Sequence, residues 1–245
     1  MQSRPSLHVS IDSVAALRQI RLPDYPDPVE FALAALRAGA NGVDFSVFRD
    51  RRGMQDHDLQ SLSSINPSVV GVMIAPRSDL VALVAESGVG RCILSPDARN
   101  DHSPGGGLDC VALKDEINEA VRCLSPLSVR LAAFIDPDKQ MIDTLAKIGV
   151  EIIELNCLAY SLAANSRSVE KRIDEIRANA MHAVSLGLLV SARGGLNASN
   201  IGLIASIREI SEVHVGHALV AQALFDGVER SIEQFNTLVG ENSRQ

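Results

Sequence analysis

Residues 188–220 read LLVSARGGLNASNIGLIASIREISEVHVGHALV. A short β-branched run ends at Arg193-Gly194-Gly195, a helical stretch follows, and a second apolar run, Val213–Val215, closes on Gly216-His217. Glycines at the ends of two successive strands, each leading into a helix, let backbone N–H groups approach an oxyanion closely. On this stretch alone a second reading stays open, in which the glycines only turn the chain.

Moving outward, the same strand-then-helix unit recurs. Leu7–Ile11, Gly42–Val47, Ser68–Ala75, Arg91–Leu94, Ser128–Ile135 and Glu151–Leu155 are apolar runs of strand length, and Leu188–Ser191 and Val213–Val215 complete eight. Between them lie helical stretches with recognisable ends. Asp27 suits an N-cap and Pro28 the first helical position, with Val29, Ala32, Leu33 and Leu36 on the buried face and Gly39 at the end. Ser78–Glu86 is expected to be capped by Ser78 and stopped by Gly88, and Lys139–Ile148 to be closed by Gly149. Ser168–Leu186 reads as one long helix and Leu219–Leu238 as one terminal helix. The latter carries an apolar stripe of Leu219, Leu224, Val228, Ile232 and Phe235, packed on the barrel or at a subunit contact.

Eight such units predict a single α/β domain over residues 1–245, a (β/α)8 TIM barrel with extra helices. A doubly wound open sheet is the alternative, but no G-x-G-x-x-G follows the first strand. In a (β/α)8 barrel the loops after the last two strands are the usual phosphate site, which is where Gly194-Gly195 and Gly216-His217 fall.

Composition narrows the class. The chain has 245 residues, 46% hydrophobic and 22% charged, with a net charge of −7. The acidic balance and the lack of a dense Lys/Arg block argue against nucleic acid as a partner. No apolar run approaches the ~20 residues needed to span a bilayer, and the first twelve residues hold no signal-peptide core. A cytoplasmic protein with no membrane partner is expected. Cys92, Cys110, Cys123 and Cys157 form no C-x-x-C pair, and the histidines show no i,i+4 spacing. Reduced thiols, no metal and no cofactor are the expectation.

The motifs VSIDSVAALRQIR, YPDPVEFALAALRAGANGV, DRRGMQDHDL, GGGLD, FIDPD, GLNASN and VHVGHAL fall in order along nearly the whole chain. In this they resemble pyridoxine 5′-phosphate synthase, whose pattern is approximately VNIDH…LR, YPDP, AGADGITVHLREDRRHI, NLEMA, GGLD, FID, NAGHGL and IGHA. The resemblance implies a (β/α)8 barrel with extra helices, a homo-oligomer (an octamer in the family), and a phosphorylated small-molecule substrate. It also implies a condensation of 1-deoxy-D-xylulose 5-phosphate with an aminoacetone phosphate that closes the pyridine ring of vitamin B6.

Set against that pattern, the acid/base positions differ. The histidine of VHLRED aligns with Ser46 and the neighbouring arginine with Phe48. The glutamate of NLEMA aligns with Val72, and the histidine of NAGHGL with Gly194, Arg193 standing where a glycine is expected. Ser10 and Ser13 stand for the asparagine and histidine of VNIDH. Each lost acid/base group commonly costs ~10²–10⁴-fold in rate, so the family reaction is not expected to survive these replacements.

Ligand-side positions do match. Asp12 and Arg18 fall at the first strand end, Arg51 and Arg52 in the DRR loop, Ser103 in the loop after the fourth strand, and Gly195, Gly216 and His217 in the phosphate cradle. Arg51 and Arg52 read either as a lid or as a solvated loop. Arg193 reads either as a new anion-binding group, with Gly194 beside it, or as a plug paired with an acid. Asp44, Glu154 and Asp136 sit on strands or at their ends, Asp136 doubling as a helix cap, and His214 reads as structural or interfacial. The catalytic candidates are Asp12, Asp44, Ser46 and Glu154, with His217 as a further one.

Two functions follow: a diverged synthase that grips a phosphorylated keto-sugar or amino-ketone and performs a related condensation, or a non-catalytic paralogue that binds a phosphometabolite or a partner. A working pyridoxine 5′-phosphate synthase with relocated acid/base groups is the third reading.

Overall fold

The computed structural model describes residues 4–21, 24–97 and 106–242, so Ser103 lies outside the described residues. Eight strands pair in parallel in chain order and close on themselves: β1 (Ser6–Ser10), β2 (Gly42–Ser46), β3 (Val70–Ile74), β4 (Arg91–Leu94), β5 (Arg130–Ile135), β6 (Ile152–Asn156), β7 (Leu189–Arg193) and β8 (Ile210–Val215). The closing pair, β8 on β1, sets Leu7 beside Val213, His8 beside His214 and Val9 beside Val215. The (β/α)8 barrel expected from the sequence is therefore the fold.

The crossovers are helical. They comprise α1 (Asp12–Gln19), α2 (Pro28–Arg37), α3 (Asp56–Ile65), α4 (Ser78–Ser87), α5 (Lys114–Leu124), α6 (Lys139–Ile148), α7 (Leu158–Ser161), α8 (Ser166–Ser185) and α9 (Ile201–Ala205), with α10 (His217–Asp226) and α11 (Val228–Asn242) completing the chain. Asp27 caps α2 as its spacing predicts, accepting from Val29 N at 2.8 Å, with Pro28 at the first position. Such a cap contributes about 1 kcal/mol. Among the described residues no helix is long and apolar enough to cross a membrane.

Several boundaries depart from the sequence reading. The terminal helix is two helices, because Gly227 adopts φ 82°, ψ 159° and breaks it. The stripe splits accordingly: Leu219, Ile232 and Phe235 are fully buried, whereas Leu224 is 68% exposed. Ser78 does not cap α4, which starts from Arg77 without a side-chain cap bond. Asp138, not Asp136, caps α6, accepting from the amides of Gln140 and Met141. Ser68 belongs to a short 3₁₀ turn ahead of β3.

Strand side chains alternate between two surroundings. Leu7, Val9, Val43, Phe45, Val72, Leu131, Ile153 and Val215 point outward into the main core beneath the helices. Met73, Ile93, Ala132, Phe134 and Ile152 form a separate apolar cluster in the lumen. Val72 therefore faces away from the site, and the inward position on β3 is Met73. The apolar cluster fills only the β3–β6 side. From β6 round to β2 the lumen carries His8, Ser10, Asp44, Glu154, Ser191, Arg193, Glu212 and His214, an unusually polar filling for a barrel interior.

Outside the lumen, Arg18 on α1 grips Asp58 on α3 through two bonds of 2.9 and 2.6 Å, both side chains at most 8% exposed. Burial alone would raise the Asp58 carboxyl, but Arg18 and the Gln55 amide outweigh it and hold it below the usual carboxylate range. Arg18→Met leaves a buried unpaired carboxylate and is expected to cost about 3–5 kcal/mol in urea unfolding at pH 7. Because the folded-state pKa is depressed, this stabilisation is complete above the ordinary carboxylate pKa and is lost as pH falls through the lower folded value. The difference between wild type and variant should therefore shrink in strongly acidic buffer.

Candidate functional site

At the C-terminal mouth of the barrel, Ser10, Arg193, Gly194, Gly195, Leu196, Asn197, His214, Gly216, His217 and Ala218 line a hollow of about 310 Å³. This is the face where the active sites of such barrels lie. The β7 turn is shaped by its glycines. Gly195 has φ +65°, and a Cβ there would lie 2.0 Å from Ser161 Oγ; a Cβ on Gly216 would lie 2.9 Å from that of Ser10. Gly216 also precedes the ten-residue helix α10, whose first residue is His217; Leu219 N already bonds Gly216 O at 3.0 Å, so the amides of His217 and Ala218 are the ones without an intrahelical acceptor, at the positive end of the helix dipole. His217 Nδ1 lies 3.5 Å from Ser13 Oγ.

Arg193 forms one wall, and it is paired with acids, as one of its two sequence readings has it. Its Nε donates to Glu154 Oε2 at 2.9 Å, Nη2 lies 2.7 Å from Asp44 Oδ1, and Nη1 donates to Ser10 Oγ at 3.1 Å. It is thus paired with two acids and also borders the hollow. Beneath it, His214 Nδ1 meets Asp44 Oδ2 at 2.7 Å. Burial opposes charging of Asp44, but Arg193 and His214 together drive its carboxyl far below the usual range. Burial likewise opposes the charge on Arg193, and Asp44 and Glu154 overcome it. Asp44 and Glu154 are therefore committed to holding a cation.

Asp12 differs from them. It accepts from the Ser46 amide at 2.7 Å, from Ser46 Oγ at 3.0 Å and from Ser10 Oγ at 3.4 Å, with no direct ion pair among the described residues. Burial and the nearby Asp44 charge raise its pKa, against the lowering effect of the Ser46 amide and Arg193. Of the catalytic candidates, it combines a raised pKa with a position at the mouth.

The remaining ligand candidates stand apart from this hollow. Arg18 is tied to Asp58 in a larger depression, about 530 Å³, between α1 and α3. Arg51 pairs with Asp56 at 2.5 Å, while Arg52 pairs with Asp50 at 3.0 Å and stacks 3.9 Å over the Phe48 ring. The loop arginines thus engage side chains of their own segment. Asp136 accepts from Asn156 Nδ2 at 2.8 Å.

Below the mouth lies a layer that sequence reasoning missed. His8, Arg91, Glu212 and His214 occupy the lumen, Arg91 Nη1 reaching Glu212 Oε2 at 2.5 Å. Burial, followed by the neighbouring His214, lowers the His8 pKa to about 3, keeping its imidazole neutral. The signal was available in period two: counting back from Gly216, residues 214 and 212 share its face. The cysteines are free, with Cys92, Cys110 and Cys157 buried and Cys123 exposed.

Removing Arg193 should expose how much depends on it. Arg193→Met is expected to cost about 3–5 kcal/mol, by leaving Asp44 and Glu154 with His214 alone opposite them. Adding Asp44→Asn should recover part of that loss in a double-mutant cycle of urea midpoints.

The family model described as "Pyridoxal phosphate biosynthesis protein PdxJ" matches residues 7–241. A pyridoxine 5′-phosphate synthase of Blochmanniella floridana is 35% identical over 238 residues, 96% of this chain and 95% of its own length. That of Pseudoalteromonas translucida is 32% identical over 233 residues, 95% of this chain and 96% of its own. Among solved structures, a tryptophan synthase α-subunit of Pyrococcus furiosus superposes with a TM-score of 0.60 at 12% identity, covering 97% of this chain and 98% of that one. A phosphoribosylanthranilate isomerase of Thermotoga maritima gives 0.58 at 14%, covering 97% and 99%. These two share the barrel alone. Identity across nearly the full length of the synthases, together with the family match, carries more: the chain belongs to the PdxJ family of pyridoxal phosphate biosynthesis proteins.

Proposed function

We propose that this protein binds a small phosphorylated ketone or keto-sugar at the barrel mouth and catalyses a condensation that differs from the family's ring closure. The phosphate sits between Gly194-Gly195 and Gly216-His217, where glycine backbone and the start of α10 favour an anion. Arg193 adds a fixed positive wall. The observation that carries the catalytic part is the division of labour among the carboxylates. Asp44 and Glu154 are both engaged by Arg193, while Asp12 has a raised pKa and lies against the Ser46 hydroxyl.

In this reading Asp12 is the acid/base group. It removes the proton α to the substrate carbonyl; the resulting enediolate adds to the carbonyl carbon of a second substrate, whose oxygen takes the proton back from Asp12 and departs as water in the dehydration that follows. Ser46, bonded to Asp12 through both amide and hydroxyl, holds the carboxylate in place. The same locking of Asp44 and Glu154 also favours a second reading, a binding protein that has kept the cradle and lost the chemistry.

One experiment separates them. Dihydroxyacetone phosphate is incubated with the protein in D₂O, exchange at the α-carbon is followed by NMR, and binding is followed by thermal shift. The enzyme reading expects a raised melting point and exchange, with Asp12→Asn losing exchange by ~10²-fold or more while keeping the thermal shift. A shift without exchange favours the binding protein. No shift with this ketone, related keto-sugar phosphates or inorganic phosphate would overturn the phosphate site itself.

A further inference from the structure

The layer beneath the mouth gathers donors that the proposed chemistry does not use. His8 and His214 are register partners across the β1–β8 seam, and Glu212 precedes His214 by two residues on the same face. One ligand atom from each of the three lies within 4.8 Å of the others, and the two imidazole rings are 4.8 Å apart, centroid to centroid. Closure of the barrel alone brings these residues together.

His214 is oriented in a specific way. Its ring is 1% exposed, and Nδ1 faces Asp44 Oδ2 at 2.7 Å, with Arg193 Nη2 3.0 Å from the same nitrogen. Nε2 is buried without a hydrogen-bond partner: Glu154 Oε1 stands 3.1 Å away out of alignment, and Glu212 Oε2 lies beyond hydrogen-bond reach at 3.6 Å. An imidazole fixed through one nitrogen by a carboxylate, with its other nitrogen open among anionic oxygens, is the usual arrangement of a metal-ligating histidine. His8 supplies a second imidazole at the same level. Asp44, Glu154 and Glu212 against Arg91 and Arg193 leave one unit of negative charge in the layer, so it takes a cation. Arg91 holds one Glu212 oxygen and leaves the carboxylate a second.

We propose that His8, His214 and Glu212 form a binding site for one divalent transition-metal ion at the floor of the barrel, with Glu154 beside it and Asp44 orienting His214. Two imidazoles and a carboxylate with an open position suit Zn²⁺, Co²⁺ or Fe²⁺ over the oxygen-seeking Mg²⁺ and Ca²⁺. A proton on His214 is the competitor, since it also restores neutrality.

The test uses the full chain with Cys123→Ser, which removes the exposed thiol as a rival ligand. After chelation and dialysis, the protein is titrated with Zn²⁺ by calorimetry and with Co²⁺ by visible absorption. The site predicts one ion per chain, a Co²⁺ d–d spectrum of low coordination number, and a roughly 100-fold or greater loss of affinity in His8→Gln, by analogy with the cost of weakened metal shells. Glu212→Gln carries the same expectation and serves where His8→Gln does not fold, as judged by circular dichroism. His57→Gln, on an exposed histidine, leaves binding unchanged. No uptake, or uptake equal in His8→Gln and Glu212→Gln, overturns the site; so does an ¹⁵N spectrum showing His214 doubly protonated in excess Zn²⁺.

Discussion

A guanidinium held between two carboxylates inside the barrel is the constraint on which this structure turns. A buried Arg193 is tolerable only because Asp44 and Glu154 meet it at 2.7 and 2.9 Å, and those acids are tolerable only because Arg193 is there. The three come from β7, β2 and β6, so one charge cluster ties distant segments of the sheet across its interior. Such clusters seldom add net stability over an apolar filling, because desolvation offsets most of the attraction. What this one does is fix positions. Arg193 cannot leave its acids, Ser10 is held by Nη1, and Asp12 is left as the mouth carboxylate without a direct ion-pair partner among the described residues.

The same cluster couples the charged residues in the lumen of this PdxJ-family barrel to one another. The outward-facing strand residues pack the barrel against its helices, and the glycines of the last two loops shape the turns around the hollow. The inward residues of β1, β2, β7 and β8 have become a connected set in which changing one member leaves its partner exposed to a costly charge. In such a lumen a charged residue is replaced at low cost only together with its partner.

Much of the fold was legible in the sequence because it rests on local signals. Eight apolar runs, the Asp27-Pro28 start and the glycine stops at Gly88 and Gly149 are read from neighbours along the chain. Where the outcome depended on competing local partners, the reading slipped. Asp138 took the cap expected of Asp136, and Gly227 divided a helix whose apolar stripe ran straight through it. The site was harder. Arg193 was visible as an anomaly, but its partners lie 39 and 149 positions earlier and meet it only through the barrel. His214 looked like an apolar-strand residue because both its neighbours are valines; only strand register turns it towards His8. Val72 and Met73 show the limit most plainly, since a shift of one residue exchanges lumen for outer core.

The pairing of β8 with β1 has a consequence for how the protein comes into being. On the ribosome the N-terminal strand emerges first and its neighbour on the seam last, after some two hundred residues of intervening chain. Until then His8 has no companion, and Asp44 must wait for β7 to bring its arginine. A nascent chain lacking its last two strands carries buried-type acids without their counter-charge and an open sheet edge on each side, the condition in which α/β chains invite chaperones or aggregate. The residues that define the site therefore also make the arrival of β7 and β8 the point at which the earlier strands gain their partners.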